Sequence, residues 1–362
     1  MFKFLFIICI LLSNNYASQK HDYLLEHYKK KYPYNKDTSK QYQKFIKAFN
    51  TSLKEYKTNI SKYWEKQIIT SPHKYVKYSN NFKRRTIVDY KKNKIIIEVI
   101  TKDVKLAQTV INKLYNNLFN LTNQMAFRDE LVLRNTYRKL DIVFDTPINN
   151  ELLIGEFLSD SYKEKVLNES ILQEYQENKY KDYIYYSSSY NLPDDFSKNI
   201  QNRYIKTIIE YEKLYKLPKN ILYAIIKVKT SFNPYALTTD AKFGFMLINS
   251  KEIGLEAYYK LYKDKRILDA AYLYNFKNNI KIGSTYLDII YNDKLKNIKN
   301  KKSRGYLSII AYEIGVKDTL DLFDNIEEIN TKTSAEIYRQ IIKKTKNRNL
   351  RIYFTKVARL ML

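Results

Sequence analysis

The sequence predicts an α+β fold: a mixed N-terminal domain with a small antiparallel sheet, followed by an all-α domain. Three observations predict it. From residue 74 the apolar spacing changes from helical to strand-like, in short β-branched and aromatic runs. After residue 196 the pattern is almost entirely helical. Five of the six glycines (Gly244, Gly254, Gly283, Gly305 and Gly315) fall in that second part, a shift that marks a different domain where tight backbone turns matter more.

The first segment bears on compartment. Lys3 precedes the apolar run Phe4–Leu12, then Ser13-Asn14-Asn15 and Tyr16-Ala17-Ser18. The run is too short to span a bilayer and fits a secretory signal peptide over 1–17, cleaved after Ala17; the competing reading is a buried N-terminal strand. Cys9 follows Ile8 rather than a small residue, so it is not read as a lipoprotein cysteine. A periplasmic protein, not a lipoprotein and without a transmembrane segment in its mature chain, is expected. As the single cysteine, Cys9 excludes an intrachain disulfide framework and thiolate metal cages. The three histidines lie within the first 73 residues and no HExxH occurs. No metal and no cofactor are expected.

Residues 18–72 read as a helical N-terminal segment. Tyr42, Phe45, Phe49, Tyr56, Tyr63 and Trp64 recur mostly at spacings of 3, 4 and 7, an apolar stripe for core packing, and Pro72 ends it. Residues 73–195 form the mixed domain. Lys74–Tyr78 and Thr86–Tyr90 are strand-like, and Ile95–Ile100 follows across Lys91-Lys92-Asn93-Lys94, a hairpin with a four-residue connection. A helix follows over Val104–Leu121. Residues 122–180 mix helical and strand-like pieces. Tyr-rich Lys181–Tyr190 is a candidate strand, and Asn191-Leu192-Pro193-Asp194-Asp195 is a turn that starts the all-α domain, 196–362.

Charge narrows the partners. Lys+Arg is 64 against Asp+Glu 38, a net +26, which favours anionic partners in general. Lys, Asn, Ile and Tyr are all over-used, so the excess reads as a compositional bias. No helix-turn-helix, RNP or zinc-finger pattern accompanies it, and nucleic acid is not expected as a partner. With 44% hydrophobic and 15% aromatic residues the chain can bury enough surface to fold.

Four blocks in the second half carry the chemistry. The first is Ile221–Ala236, ending Lys229-Thr230-Ser231-Phe232-Asn233-Pro234-Tyr235-Ala236. Then come Gly244-Phe245-Met246-Leu247, Asn279-Ile280-Lys281-Ile282-Gly283-Ser284-Thr285-Tyr286-Leu287 and Ala311-Tyr312-Glu313-Ile314-Gly315. The series resembles the lysozyme-like SLT domain of lytic murein transglycosylases, whose blocks run E-S-x-F-x-P-x-A, G-L-M-Q, N-I-x-x-G-x-x-Y-L and A-Y-N-x-G. Upstream, His73–Tyr78, the hairpin ending Ile95–Thr101 and the Tyr-rich strand before Pro193 are similar to the N-terminal domain of the membrane-bound lytic murein transglycosylase C branch. The Asn330–Tyr338 and Arg351–Val357 stretches resemble its end. The resemblance covers roughly 73–360; the 20–70 helix and the missing lipoprotein cysteine depart from it.

The resemblance implies one carboxylic acid that protonates the glycosidic oxygen between MurNAc and GlcNAc. An oxocarbenium-like transition state follows, and the MurNAc C6 hydroxyl closes a 1,6-anhydro end. Such an acid needs an apolar cleft that keeps it protonated. Here its position is Lys229, and no Asp or Glu lies between Lys213 and Thr239. Leu247 replaces the family Gln and Glu313 the Asn. A free ammonium about 4 Å from a developing oxocarbenium opposes it by about 4 kcal/mol at an effective dielectric near 20. The expectation is a peptidoglycan-binding pseudoenzyme that holds glycan strands, and other cell-wall or envelope proteins are possible partners. Lys229 is read either as a snorkelling side chain at the cleft rim or as a cation for a stem-peptide carboxylate. Thr230, Ser231, Met246, Leu247 and Tyr312 are expected to bind substrate. The alternative is an active enzyme with a relocated acid, Glu313 or Glu252; the plainer reading pairs each of these with a nearby lysine.

Overall fold

The computed structural model describes residues 38–142, 151–155, 158–159, 162 and 176–361. The expected signal segment with Cys9, and residues 18–37, lie outside the described residues.

Helix α1 (Thr38–Ser61) buries Ala48, Phe49, Ser52, Tyr56 and Ile60, one face at spacings of three, four and seven. It ends earlier than the aromatic stripe suggests. Trp64 lies past the helix, 1% exposed, where its indole N–H donates to the Phe82 carbonyl at 2.6 Å and the Arg85 guanidinium stacks 4.0 Å over its ring. A buried indole needs an acceptor, and the sheet provides one that helix continuation would not.

The sheet has the order β1-β2-β3-β5-β4, antiparallel throughout: β1 Lys74–Tyr78, β2 Arg84–Asp89, β3 Lys94–Ile100, β4 Gln176–Tyr180 and β5 Tyr183–Asn191. The β2–β3 hairpin pairs Asp89 with Lys94. Its four-residue turn is set by Asn93 in the left-handed region and by the Asp89 carboxylate, which accepts from the Lys91 and Lys92 amides. Helix α2 (Val104–Phe119) is capped by Asp103, accepting from Lys105 N and Leu106 N, and packs on β3. Helices α3 (Asn123–Asp129) and α4 (Leu131–Lys139) follow; α1 packs on α4.

The second part is helical: α5 (Phe196–Leu214), α6 (Ile221–Thr230), a short ribbon β6–β7 (Lys242–Phe243, Ile248–Asn249), α7 (Leu255–Tyr262), α8 (Ala270–Tyr274), α9 (Phe276–Asp288), α10 (Lys301–Ile314), α11 (Val316–Leu320), α12 (Ile326–Thr331), α13 (Ser334–Lys344) and α14 (Arg348–Met361). Single π-turns follow β7 and α9. Helix α6 is apolar nearly all round, with Ile221, Leu222, Ala224, Ile225 and Ile226 buried, because α5, α10 and α14 enclose it. The two parts share one core. Tyr75 of β1 meets Tyr235 edge-on at 5.5 Å, and Tyr235 stacks on Tyr274 at 4.2 Å. Helix α1 reaches the second part too, since Phe45 lies 6.4 Å from Phe243 and the Tyr42 hydroxyl accepts from Asn249.

Glu130 is the buried acid of this junction, 6% exposed, and it caps α4 by accepting from Val132 N at 3.1 Å. Burial pushes its carboxyl up to about 7, against the opposing pull of the Val132 amide and the Thr70 hydroxyl. The folded state therefore binds the proton more tightly than the unfolded state. Stability falls as pH rises between about 4.5 and about 7. Glu130→Gln keeps the capping oxygen without the charge. Urea unfolding is expected to find it more stable than wild type at pH 8, by up to about 3 kcal/mol, and nearly equal to it at pH 5. Equal stabilities at both pH values contradict the assignment.

Candidate functional site

The site is built on the C-terminal end of α6. The start of that helix is fixed by Glu212, whose carboxylate accepts from Asn220 N at 3.1 Å and Leu222 N at 3.0 Å. Its last turn carries Lys227 and Lys229, where cations suit the negative end of the helix dipole. The chain then turns sharply, with Ser231 and Phe232 both left-handed, at φ 52° and 60°. This conformation is unfavourable for a bulky residue, and the surroundings hold it. Thr230 Oγ1 lies 3.0 Å from the Ile226 and Phe245 carbonyls. His73 Nδ1 and Ser231 Oγ are 3.1 Å apart. Asn233 Nδ2 donates to the Ser71 and Pro72 carbonyls, so the N-terminal part braces the turn.

Lys229 Nζ donates to Glu313 Oε1. The lysine side chain is 7% exposed and the glutamate 23%. The ammonium also lies 5.1 Å from the Tyr312 ring centre and 5.6 Å from that of Tyr353. An ammonium in this setting loses hydration, and the carboxylate and the two ring faces compensate. Lys229 is therefore not a snorkelling side chain at the rim: it is buried and already paired. Its charge is offset by Glu313, so the repulsion expected of a free ammonium is an upper limit.

The pair forms one wall of an open cavity of about 570 Å³. Leu247, Glu252, Tyr286 and Tyr312 also line it. Burial first, and then the Glu313 carboxylate, push the Tyr312 phenol well above its ordinary value. Burial, Glu256 and Glu252 push Tyr286 up to about 12. Both phenols stay protonated at neutral pH. Lys242, Lys251, Lys265 and Glu256 also line the cavity, so it sets charges of both signs beside its aromatic side chains.

A buried amide holds this wall in place. Asn279 Oδ1 accepts from Met246 N at 2.9 Å, while its Nδ2 donates to the Phe243 and Leu273 carbonyls at 2.9 and 2.8 Å. Gly244, at φ +72°, sits where any Cβ would lie 2.2 Å from that Nδ2. A Cβ on Gly283 would lie 2.3 Å from Met246 Sδ. The Tyr312 hydroxyl donates to the Met246 carbonyl at 3.1 Å.

The geometry separates the expected site residues. Lys229, Leu247, Tyr312 and Glu313 come together, with Glu252 on the same cavity. Thr230 and Met246 do not face it: both are fully buried, one closing the helix end and the other packed on Gly283. Ser231 opens into a second cavity beside His73. Sequence reasoning assigned no role to Tyr353. It lies on a helix 124 positions from Lys229, and only the Arg351–Val357 resemblance marked that stretch. Among the described residues, no group of three or more His, Cys, Asp or Glu side chains comes together as a metal site.

Comparison with known proteins matches residues 206–351 to the transglycosylase SLT domain and residues 42–126 to the N-terminal domain of membrane-bound lytic murein transglycosylase C. Proteins named membrane-bound lytic murein transglycosylase C are similar along most of their length. The one from Photorhabdus laumondii is 24% identical over 89% of this chain and 92% of its own. That from Glaesserella parasuis is 24% identical over 87% of each, and that from Haemophilus ducreyi 22% identical over 84% and 83%. These relatives overturn the expectation that the chain is not a lipoprotein, because they are membrane-bound. No helix among the described residues is long and apolar enough to cross a membrane, but a lipid anchor needs no such helix. The residue before Cys9 is too weak a sign against one.

Removing one partner of a buried ion pair leaves the other charge without compensation. Glu313→Gln is expected to lower stability to urea by about 3 kcal/mol. Lys229→Met combined with Glu313→Gln should recover most of that loss. A single variant as stable as wild type contradicts the burial of the pair.

Proposed function

Given that this chain belongs to the lytic murein transglycosylases, with an SLT domain behind a transglycosylase C-type N-terminal domain, we propose that it holds peptidoglycan glycan strands in the open cavity without cleaving them. The observation that carries this reading is the Lys229–Glu313 ion pair at the position of the general acid. Cleavage requires a proton delivered to the glycosidic oxygen as the bond breaks. An ammonium is by nature a far weaker acid than the carboxylic acid this reaction uses. Glu313 is the nearest carboxylate, and its Oε1 already accepts from the ammonium. Leu247 stands where the family pattern has Gln.

Binding is supported by what remains. Leu247 lines the cavity without filling it, and the exposed Tyr259 and the carboxylates of Glu252 and Glu256 stay accessible from it. Stacking on Tyr259 and hydrogen bonds to sugar hydroxyls need no charge on the ligand.

The purified chain incubated with sacculi is expected to pellet with them and to release no anhydro-ended fragments by mass spectrometry. Lys229→Glu combined with Glu313→Asn restores the family residues at these two positions without opposing two carboxylates, and should release such fragments. Anhydro products from the wild-type chain that disappear in Glu313→Gln or Glu252→Gln establish the active alternative and name its acid. A chain that neither pellets nor cleaves removes the glycan reading altogether.

A further inference from the structure

A second cavity, of about 730 Å³, opens on the opposite side of the α6 terminus. Consecutive residues divide the two: Lys229 lines the first and Val228 the second. Tyr353 lines the second cavity while its ring faces the Lys229 ammonium. The lining differs sharply from that of the groove. Lys91, Lys227, Lys356 and Arg359 contribute to it, and no Asp or Glu does. None of these four forms an ion pair among the described residues; Lys227 donates only to the Tyr223 hydroxyl, at 3.2 Å. The field shows at His73, which also lines the cavity. Its imidazole is held below the ordinary value by burial and then by Lys91, with Lys356 adding to the effect. A backbone hydrogen bond at Thr230 and the Asp89 carboxylate act the other way. Asp89 itself is engaged by Lys74 at 3.4 Å and by the turn amides of Lys91 and Lys92.

We propose that this cavity binds a short peptide bearing several carboxylates, such as the peptide branch of a wall polymer whose glycan lies in the neighbouring groove. The cations come from separate elements, the β2–β3 turn, α6 and α14, so they suit single carboxylates spaced along a chain better than one compact phosphate. Asn349 and Ser197 offer hydrogen bonds for a peptide backbone, and Val228, Ile352 and Leu360 an apolar floor. The volume is that of a site for a ligand of a few residues, not for a duplex. The naming of the branch rests on the glycan reading of the groove; the peptide site itself does not. It also relocates the carboxylate-binding role once considered for Lys229, which Glu313 already occupies.

Calorimetric titration of the intact chain with N-acetyl-triglutamate, in parallel with inorganic pyrophosphate, tests the site. The peptide is expected to bind, to weaken with added salt, and to bind about tenfold less tightly to Lys356→Gln/Arg359→Gln. Failure to bind the peptide, equal binding by the double variant, or displacement by pyrophosphate at far lower concentration each overturns the proposal. Glycan strands with and without their peptides separate it from the groove reading. Intact strands should bind better than stripped ones, and the double variant should erase the difference. Equal binding of both by wild type overturns the peptide site. Stripped strands that do not bind, beside triglutamate binding that the double variant weakens, remove the groove reading and leave the peptide site standing.

Discussion

Everything at the α6 terminus is arranged around one buried ammonium. Lys229 lies where a largely apolar helix emerges between α10 and α14, and burying its charge demands compensation from both neighbours. Helix α10 supplies the Glu313 carboxylate and the Tyr312 ring, and α14 supplies the Tyr353 ring. These three elements together frame an ion pair. A pair of this kind adds little net stability compared with a well-packed apolar alternative, yet removing one partner is severe. The substitution at 229 and the one at 313 are therefore coupled. A lysine here without a carboxylate at 313 would be an uncompensated buried charge, and a glutamate at 313 beside the family acid would set two carboxylates against each other.

The scaffold around the pair is held by uncharged interactions that need neither residue. Asn279 satisfies the Met246 amide, the Phe243 carbonyl on the same segment and the Leu273 carbonyl of α8, and Gly244 and Gly283 allow the close approach. The cavity wall therefore does not depend on the ion pair. The brace from the N-terminal part is equally independent of the chemistry. His73, Ser71 and Pro72 hold the Ser231–Asn233 turn, and the same contact gives the second cavity its wall from the mixed domain.

Local patterns were legible in the sequence. The β2–β3 hairpin, with its Lys- and Asn-rich turn, and the start of α2 behind Asp103 follow from spacing and turn chemistry alone. The motif blocks gave the order of the all-α part and brought Lys229, Leu247, Tyr312 and Glu313 to one place. Burial was less legible. The pattern placed Lys229 at the edge of an apolar face, but only the packing of α14, far along the chain, shows that the edge is covered. Thr230 and Met246 belong to blocks that line the groove, yet their side chains face inward to hold it. The end of α1 at Ser61 was hidden because Trp64 continues the aromatic spacing while packing on the sheet. Anchorage was misread because a short apolar run and one cysteine carry too little local information.

The net charge of +26 pointed to an anionic partner without saying where it binds. In the folded chain the charge at 229 is neutralised by Glu313, whereas Lys91, Lys356 and Arg359 have no carboxylate partner among the described residues. The central claim is that the groove holds glycan beside an intact ion pair. A crystal structure after prolonged exposure to a MurNAc–GlcNAc tetrasaccharide tests it most directly. The account predicts an uncleaved saccharide held against Tyr259, with Lys229 still bonded to Glu313. An anhydro-ended product in the groove, or Glu313 released from Lys229 and hydrogen-bonded to a glycosidic oxygen, would contradict it.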